Sequence, residues 1–176
     1  GVNVLIYTWR GYGLSKGSAD QQSVFEDGLA VHQWLFAQAA LDADVDSRRI
    51  GIYAHSLGGV VAGYLLGDDS GVGTDYAFGI LDAPVESISA VVGQAMAVSY
   101  PADFFAESNL WDTIDRMQGA RVPILHMHGQ KDDINFWFQA ENIHAAFRKD
   151  LPDYTAYLGI ADDPAAAYWH AAFDDL

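Results

Sequence analysis

An α/β domain, with a mostly parallel sheet and helices on both faces, is the fold class this sequence predicts. Two observations carry that prediction. Short apolar runs rich in β-branched residues recur without polar alternation, as in strands buried on both faces. Between them lie longer stretches in which apolar residues return at helical spacing. Strands alternating with helices give a layered α/β domain, and ligands in such sheets bind beyond the carboxyl ends of the strands.

The first run, residues 2–8, predicts a buried strand closed by the glycine-rich loop RGYGLSKG. From residue 19 to 41 the period becomes helical. Val24, Gly28, Val31 and Leu35 form one line, and Phe25, Leu29, His32 and Phe36 another beside it. That wide stripe predicts a helix packed on a flat surface, with Ser18 and Gln21, or Ser23 and Glu26, as its capping box. Residues 50–54 predict a second strand, followed at once by Ser56 and the helical stretch LGGVVAGYLL. Residues 77–84, AFGILDAP, predict a third.

Residues 85–121 predict two or three short helical pieces, broken at Pro101, with 109–117 as one helix. This segment is expected to form a small helical insertion or cap. Its apolar residues Val92, Met96, Val98, Tyr100, Phe104, Phe105, Leu110 and Trp111 either line an acyl pocket or simply pack over the sheet. A fourth strand is predicted at 122–129, a helix at 136–149 and a fifth strand at 154–160, leaving a loop and a short terminal helix. The aromatics of INFWFQ pose the same choice between pocket and packing. No repeat or linker divides the chain, so residues 1–176 are expected to form a single domain.

Composition narrows the function. The formal net charge is −15, which argues against a basic surface for nucleic acid or anionic lipid. The acidity comes from twenty Asp against four Glu, with three Lys opposing it. A hydrated, soluble surface explains that balance, and so does adaptation to high salt. The chain has no cysteine, hence no disulfide, thiolate metal site or thiol nucleophile. No apolar run is long enough to predict a membrane span. The chain opens directly on a strand-like run without Met. Residues preceding Gly1, and any targeting segment they carried, are therefore expected to be missing.

The chemistry centres on YAHSLGG. Ser56 stands between a predicted strand and a predicted helix, with Ala54 two residues before it and Gly58 two after. A serine on such a turn is held in strained dihedrals with its oxygen clear of the backbone, and the flanking positions must be small. The N–H of Leu57, at the head of the helix, can then stabilise an oxyanion. A serine capping a helix beside packing glycines is the competing explanation. A serine nucleophile also needs a base, and the base an orienting carboxylate. Asp132, past the fourth strand, and His170, expected in a loop after the last strand, follow Ser56 in the order that such a site requires.

NVLIYTWRGYGLSKG, RRIGIYAHSLGG and VPILHMHGQKDD together resemble the α/β-hydrolase superfamily, and most closely its Bem46-like serine hydrolases. The resemblance covers residues 1 to about 150 well and the remainder loosely. It implies an esterase, thioesterase or lipase type of activity on a small ester or acyl substrate, without metal or organic cofactor. By motif it implies Ser56 as nucleophile, Asp132 as acid, His170 as base and Leu57 as an oxyanion donor. Ala54 stands where the family has its first elbow glycine. The family also has a further strand, carrying the second oxyanion donor, that precedes the first strand in the chain and lies between the first two strands in the sheet. The fold is accordingly expected to be N-terminally incomplete.

Other assignments compete. His144 is an alternative base, His32 falls on the helical stripe, and His55 adjoins the nucleophile. Asp133 and Asp82 are alternative acids. His126 and His128, two apart on a strand, share a face and with Asp132 or Asp133 would offer the start of a metal site, although no further histidine pair completes it. Arg10 could bind an anion or a structural carboxylate. A non-catalytic α/β-hydrolase-like binding protein, or an inactive fragment, is the alternative to a serine hydrolase.

Overall fold

The computed structural model describes residues 2–42, 44–95, 111–129, 131–147, 155–158 and 168–172. The chain divides into two compact units, Gly1–Ser47 and Arg48–Leu176.

In the first unit, residues 2–9 are not a strand. Val2, Val4 and Ile6 are 90%, 76% and 85% exposed. The expectation of a buried strand at 2–8 is therefore corrected. A strand is stabilised by a neighbour that pairs its N–H and C=O groups, and among the described residues of this unit there is no second strand. Gly11, Gly13 and Gly17 take φ values of +80°, +56° and +100°, in the left-handed region where glycine carries no Cβ penalty. Arg10 donates its backbone N–H and its Nε to the two carboxylate oxygens of Asp27, each at 2.8 Å. Arg10 thus closes a structural turn.

Asp27 lies on α1, Gln21–Leu41. The helix buries Val24, Phe25, Gly28 and His32, and half-buries Val31, Leu35 and Phe36, which is the predicted stripe. Its cap differs from both expected pairs. The Asp20 carboxylate accepts the Ser23 N–H at 2.8 Å, and the Ser23 hydroxyl accepts the Asp20 N–H at 2.9 Å. Aspartate is as good an N-cap as serine, and Ser23 serves here as the reciprocal partner.

The second unit holds a five-stranded sheet. Its strands are β1 (Ile52–His55), β2 (Gly79–Asp82), β3 (Ile124–His128), β4 (Thr155–Leu158) and β5 (Tyr168–Ala172), in the order β1-β2-β3-β5-β4. The first three are parallel, as predicted. These parallel strands with their helices make the chain an α/β fold, and β5 joins them antiparallel to both β3 and β4. The loop expected around His170 is likewise corrected, since residues 168–172 form β5. The segment lacks the period of a strand, but pairing with β3 makes it one.

Among the described residues of this unit the α-helices are α2 (Gly58–Leu66), α3 (Ile88–Ala95), α4 (Thr113–Arg116) and α5 (Phe138–Phe147). α4 is shorter than the predicted helix over 109–117. Val60, Val61, Leu65 and Leu66 of α2 join Leu81, Met117, Ile124 and Ile143 in the core. One face of β1 and β2 carries buried Ala54 and Leu81. The other carries exposed Tyr53 and His55. Much of the predicted insertion, with Met96, Val98, Tyr100, Phe104, Phe105 and Leu110, lies outside the described residues, as does the side chain of Val92. Among the described residues no helix is long and apolar enough to cross a membrane.

Candidate active site

The parallel strands end at one edge in His55, Asp82 and His128, and the chain turns there each time. The turn after β1 is Ser56–Leu57. Ser56 has φ +52°, a conformation that costs a residue with a Cβ about 1–3 kcal/mol unless its surroundings impose it. They do so on both sides of the peptide. The Ser56 N–H donates to the Asp82 carbonyl at 2.9 Å, and the Ser56 carbonyl accepts the N–H groups of Gly59 at 2.9 Å and Val85 at 3.3 Å. Leu57 already has helical dihedrals, φ −57° and ψ −26°. Its N–H thus belongs among the donors of a first helical turn, which lack partners within the helix.

The small flanking residues act as expected at one position and more strongly at another. A Cβ on Gly58 would lie 3.7 Å from the Cβ of Ala54, an ordinary contact, so one methyl in place of the first elbow glycine is accommodated. The tight position is Gly59. A Cβ there would stand 2.6 Å from the Cβ of Pro84 and 3.2 Å from its Cα. Sequence reasoning passed over this close approach because it depends on the turn after β2.

Asp132 lies in the turn after β3. Its Oδ1 accepts the N–H groups of Ile134 at 3.0 Å and Asn135 at 2.9 Å. Its Oδ2 is 3.5 Å from Nε2 of buried His128. Asp132 is half-buried and fixed, whereas Asp133 is exposed. Asp82 is engaged elsewhere. Its Oδ2 accepts the Tyr53 hydroxyl at 2.6 Å, and the carboxylate raises the pKa of that hydroxyl by holding its proton.

His170 is not in a loop. It lies in β5 with its backbone in register with His126 of β3. Tyr168 pairs with His128 at the carboxyl edge, so His170 is two residues, or about 7 Å, inside that edge. Its strand is the third from β1, about 14 Å across the sheet. The loop position expected for His170 is corrected accordingly. Among the described residues, the fold joins the Ser56 turn to the Asp132 turn by hydrogen bonds and leaves the backbone of His170 on a more distant strand.

Of the remaining histidines, His55 is exposed and His144 half-buried on α5. His32 is buried with its ring centroid 4.4 Å from that of Phe36. His126 and His128 share the buried face of β3, as their spacing predicts. His128 Nε2 is 2.6 Å from the Asn135 carbonyl. A carbonyl only accepts, so this nitrogen carries the proton. Among the described residues no three His, Asp or Glu side chains gather as a metal site.

Asn135 is a site residue that sequence reasoning missed. It is 3% exposed, and its Nδ2 donates to the carbonyls of Ala83 at 2.8 Å and Pro84 at 2.9 Å. The available signal was the Asp-x-x-Asn spacing, which resembles a turn closed by an aspartate side chain. The aromatics that follow it, Phe136, Trp137 and Phe138, masked it.

With this geometry established, comparison with known proteins narrows the family. The uncharacterized protein Rv2307c of Mycobacterium tuberculosis is 34% identical over 136 residues, which are 76% of this chain and 44% of the relative. The alpha/beta hydrolase domain-containing protein WAV2 of Arabidopsis thaliana is 29% identical over 166 residues, 87% of this chain and 51% of that protein. These relatives support the α/β-hydrolase superfamily. The uncharacterized protein YfhR of Salmonella typhi is 25% identical over 162 residues, 84% of this chain and 51% of its own length. No protein-family model matches the chain. No solved structure matches it either. The chain spans about half the length of the curated relatives it matches. The superfamily likeness agrees with the observed strand–turn–helix around Ser56 and with the parallel strands β1 to β3.

Proposed function

We propose that the chain forms a serine hydrolase domain of the Bem46-like kind, acting on a carboxylic ester or thioester. The observation that carries this reading is the φ of +52° at Ser56, on the turn between a parallel strand and a helix. A helix-capping serine needs no such conformation, because an N-cap residue ordinarily sits in the extended region. Strain imposed from both neighbours is the mark of a nucleophile elbow.

In this mechanism Ser56 Oγ attacks the substrate carbonyl carbon and its proton passes to the imidazole of His170, a transfer that needs β5 nearer to Ser56 than its described backbone lies. Asp132 orients that ring and stabilises its charged form. The Leu57 N–H stabilises the oxyanion. Collapse expels the alkoxide or thiolate, which takes the proton from the imidazole. Water then adds to the acyl carbon and gives a proton to the same ring. The bond to Oγ breaks, the acid leaves and the proton returns to Ser56. Residues 85–121 supply a small cap over the acyl group, and residues 1–176 act as one domain in this reading.

A fluorophosphonate probe tests the proposal. Labelling is expected in the native chain and lost in Ser56→Ala and His170→Ala. Labelling that survives His170→Ala but not His144→Ala would move the base to α5. No Ser56-dependent labelling in a full-length protein would instead favour a non-catalytic binding role.

A further inference from the structure

We infer that Asn135 is a positioning residue that holds the acid turn and the nucleophile turn in a fixed relation; this rests on the serine-hydrolase reading above. The turn at residues 82–85 is gripped from two sides. Asp82 and Val85, at its ends, hydrogen-bond the N–H and the carbonyl of Ser56. Ala83 and Pro84, between them, give their carbonyls to the side-chain amide of Asn135, at 2.8 and 2.9 Å. Ala83 itself takes φ +44°, a second strained residue beside the first, and its N–H donates to the Met127 carbonyl at 2.8 Å.

Asn135 is also tied to the acid. Its backbone N–H donates to Asp132 Oδ1 at 2.9 Å, and its carbonyl accepts from His128 Nε2 at 2.6 Å. One residue therefore reaches Asp132 with its backbone and the neighbour of Ser56 with its side chain. The orientation of the amide follows from its partners, since the reverse would set Oδ1 against two carbonyl oxygens. Oδ1 is buried with no hydrogen-bond partner among the described residues. A buried unsatisfied acceptor is destabilising, and an apolar side chain of the same size would avoid it. The two N–H donors set Asn135 apart from such a side chain. They hold the Asp132 turn and the strained Ser56 turn at a fixed spacing, as a base shared between them requires.

The test is fluorophosphonate labelling of the native chain, Asn135→Ala and Asn135→Leu, with the binding constant and the maximal labelling rate measured separately and the melting midpoint recorded for each. Asn135→Leu keeps the volume and removes both donors. Each variant is labelled well below its melting midpoint. The expected result is a maximal rate lower by about 10- to 100-fold in both variants with the initial binding constant unchanged, as for a small misplacement of reacting groups. Native maximal rates in folded Asn135→Leu would overturn the inference while Ser56-dependent labelling of the native chain leaves the hydrolase reading intact. Variants that do not fold at all would assign Asn135 to the fold and overturn it too. A native chain that shows no Ser56-dependent labelling would remove the reading on which it rests.

Discussion

Gly59 and Pro84 approach so closely that a Cβ on the glycine would stand 2.6 Å from that of the proline. This contact presses the head of α2 against the turn after β2, and that turn also holds the Ser56 peptide. The proline Cα, 3.2 Å away, is backbone and cannot swing aside. Gly59→Ala is therefore expected to destabilise the chain by about 1–3 kcal/mol, despite the better helix propensity of alanine. Gly58→Ala meets an ordinary 3.7 Å contact and is expected to change stability by less than about 1 kcal/mol. Urea unfolding of the two variants checks the contrast; equal midpoints would refute it.

Strain at Ser56 predicts a separation of stability from activity. Ser56→Gly relieves the left-handed conformation and is expected to match or exceed native stability by up to about 1 kcal/mol. The same variant is expected to lose probe labelling entirely. Ser56→Ala keeps the Cβ in that conformation and should not gain stability. Thermal melts alongside labelling decide the matter, and a Ser56→Gly chain markedly less stable than Ser56→Ala would count against a strained turn.

The two adjacent carboxylates should behave differently. Asp132→Asn keeps an oxygen for the N–H groups of Ile134 and Asn135 but removes the charge beside the base. Its labelling rate is expected to fall by about 10²- to 10⁴-fold with the fold retained. Asp133 is exposed, and Asp133→Asn is expected to label at the native rate. A reversal of this order would transfer the acid role to Asp133.

In the first unit, Arg10 holds the carboxyl of Asp27 below its ordinary pKa through a side-chain hydrogen bond, against a smaller opposing effect of burial. A depressed folded pKa means that the unfolded chain takes up the proton first. The contribution of this pair is complete above the unfolded value of about 3.9 and is lost as pH falls through the lower folded value. Asp27→Asn should therefore weaken hydrogen-exchange protection of the α1 amides at neutral pH. The gap from native should close in acid, below about pH 4. A gap independent of pH would show that the pair contributes by packing rather than by charge.

Much of this was legible locally. β1, β2 and β3 stand out as short unalternating apolar runs, and α1 as a stripe from Val24 to Phe36, because burial on two faces or on one imposes its own period on a chain. Ser56 and Asp132 were likewise visible, since an elbow demands small residues at set offsets and a strand end is where polar groups emerge. Residues 2–8 have the same apolar spelling as β1 yet are not a strand among the described residues. Spelling reports a side chain's preference for burial, whereas a strand forms only where another backbone offers hydrogen bonds. The segment of β5 erred the other way, from loop to strand, through pairing with β3.

The sequence by itself determined the α/β class, the parallel core strands and the candidate nucleophile and acid, because each of these depends on residues within a few positions of one another. Tertiary structure alone decided that Gly59 rather than Gly58 is the tight glycine, that His170 belongs to a strand in register with His126, and that Asn135 links the Asp132 turn to the Ser56 turn. Each of these is a relation between segments far apart in the chain. Distances of that kind are set by how strands are ordered in a sheet, and no local pattern of side chains encodes them.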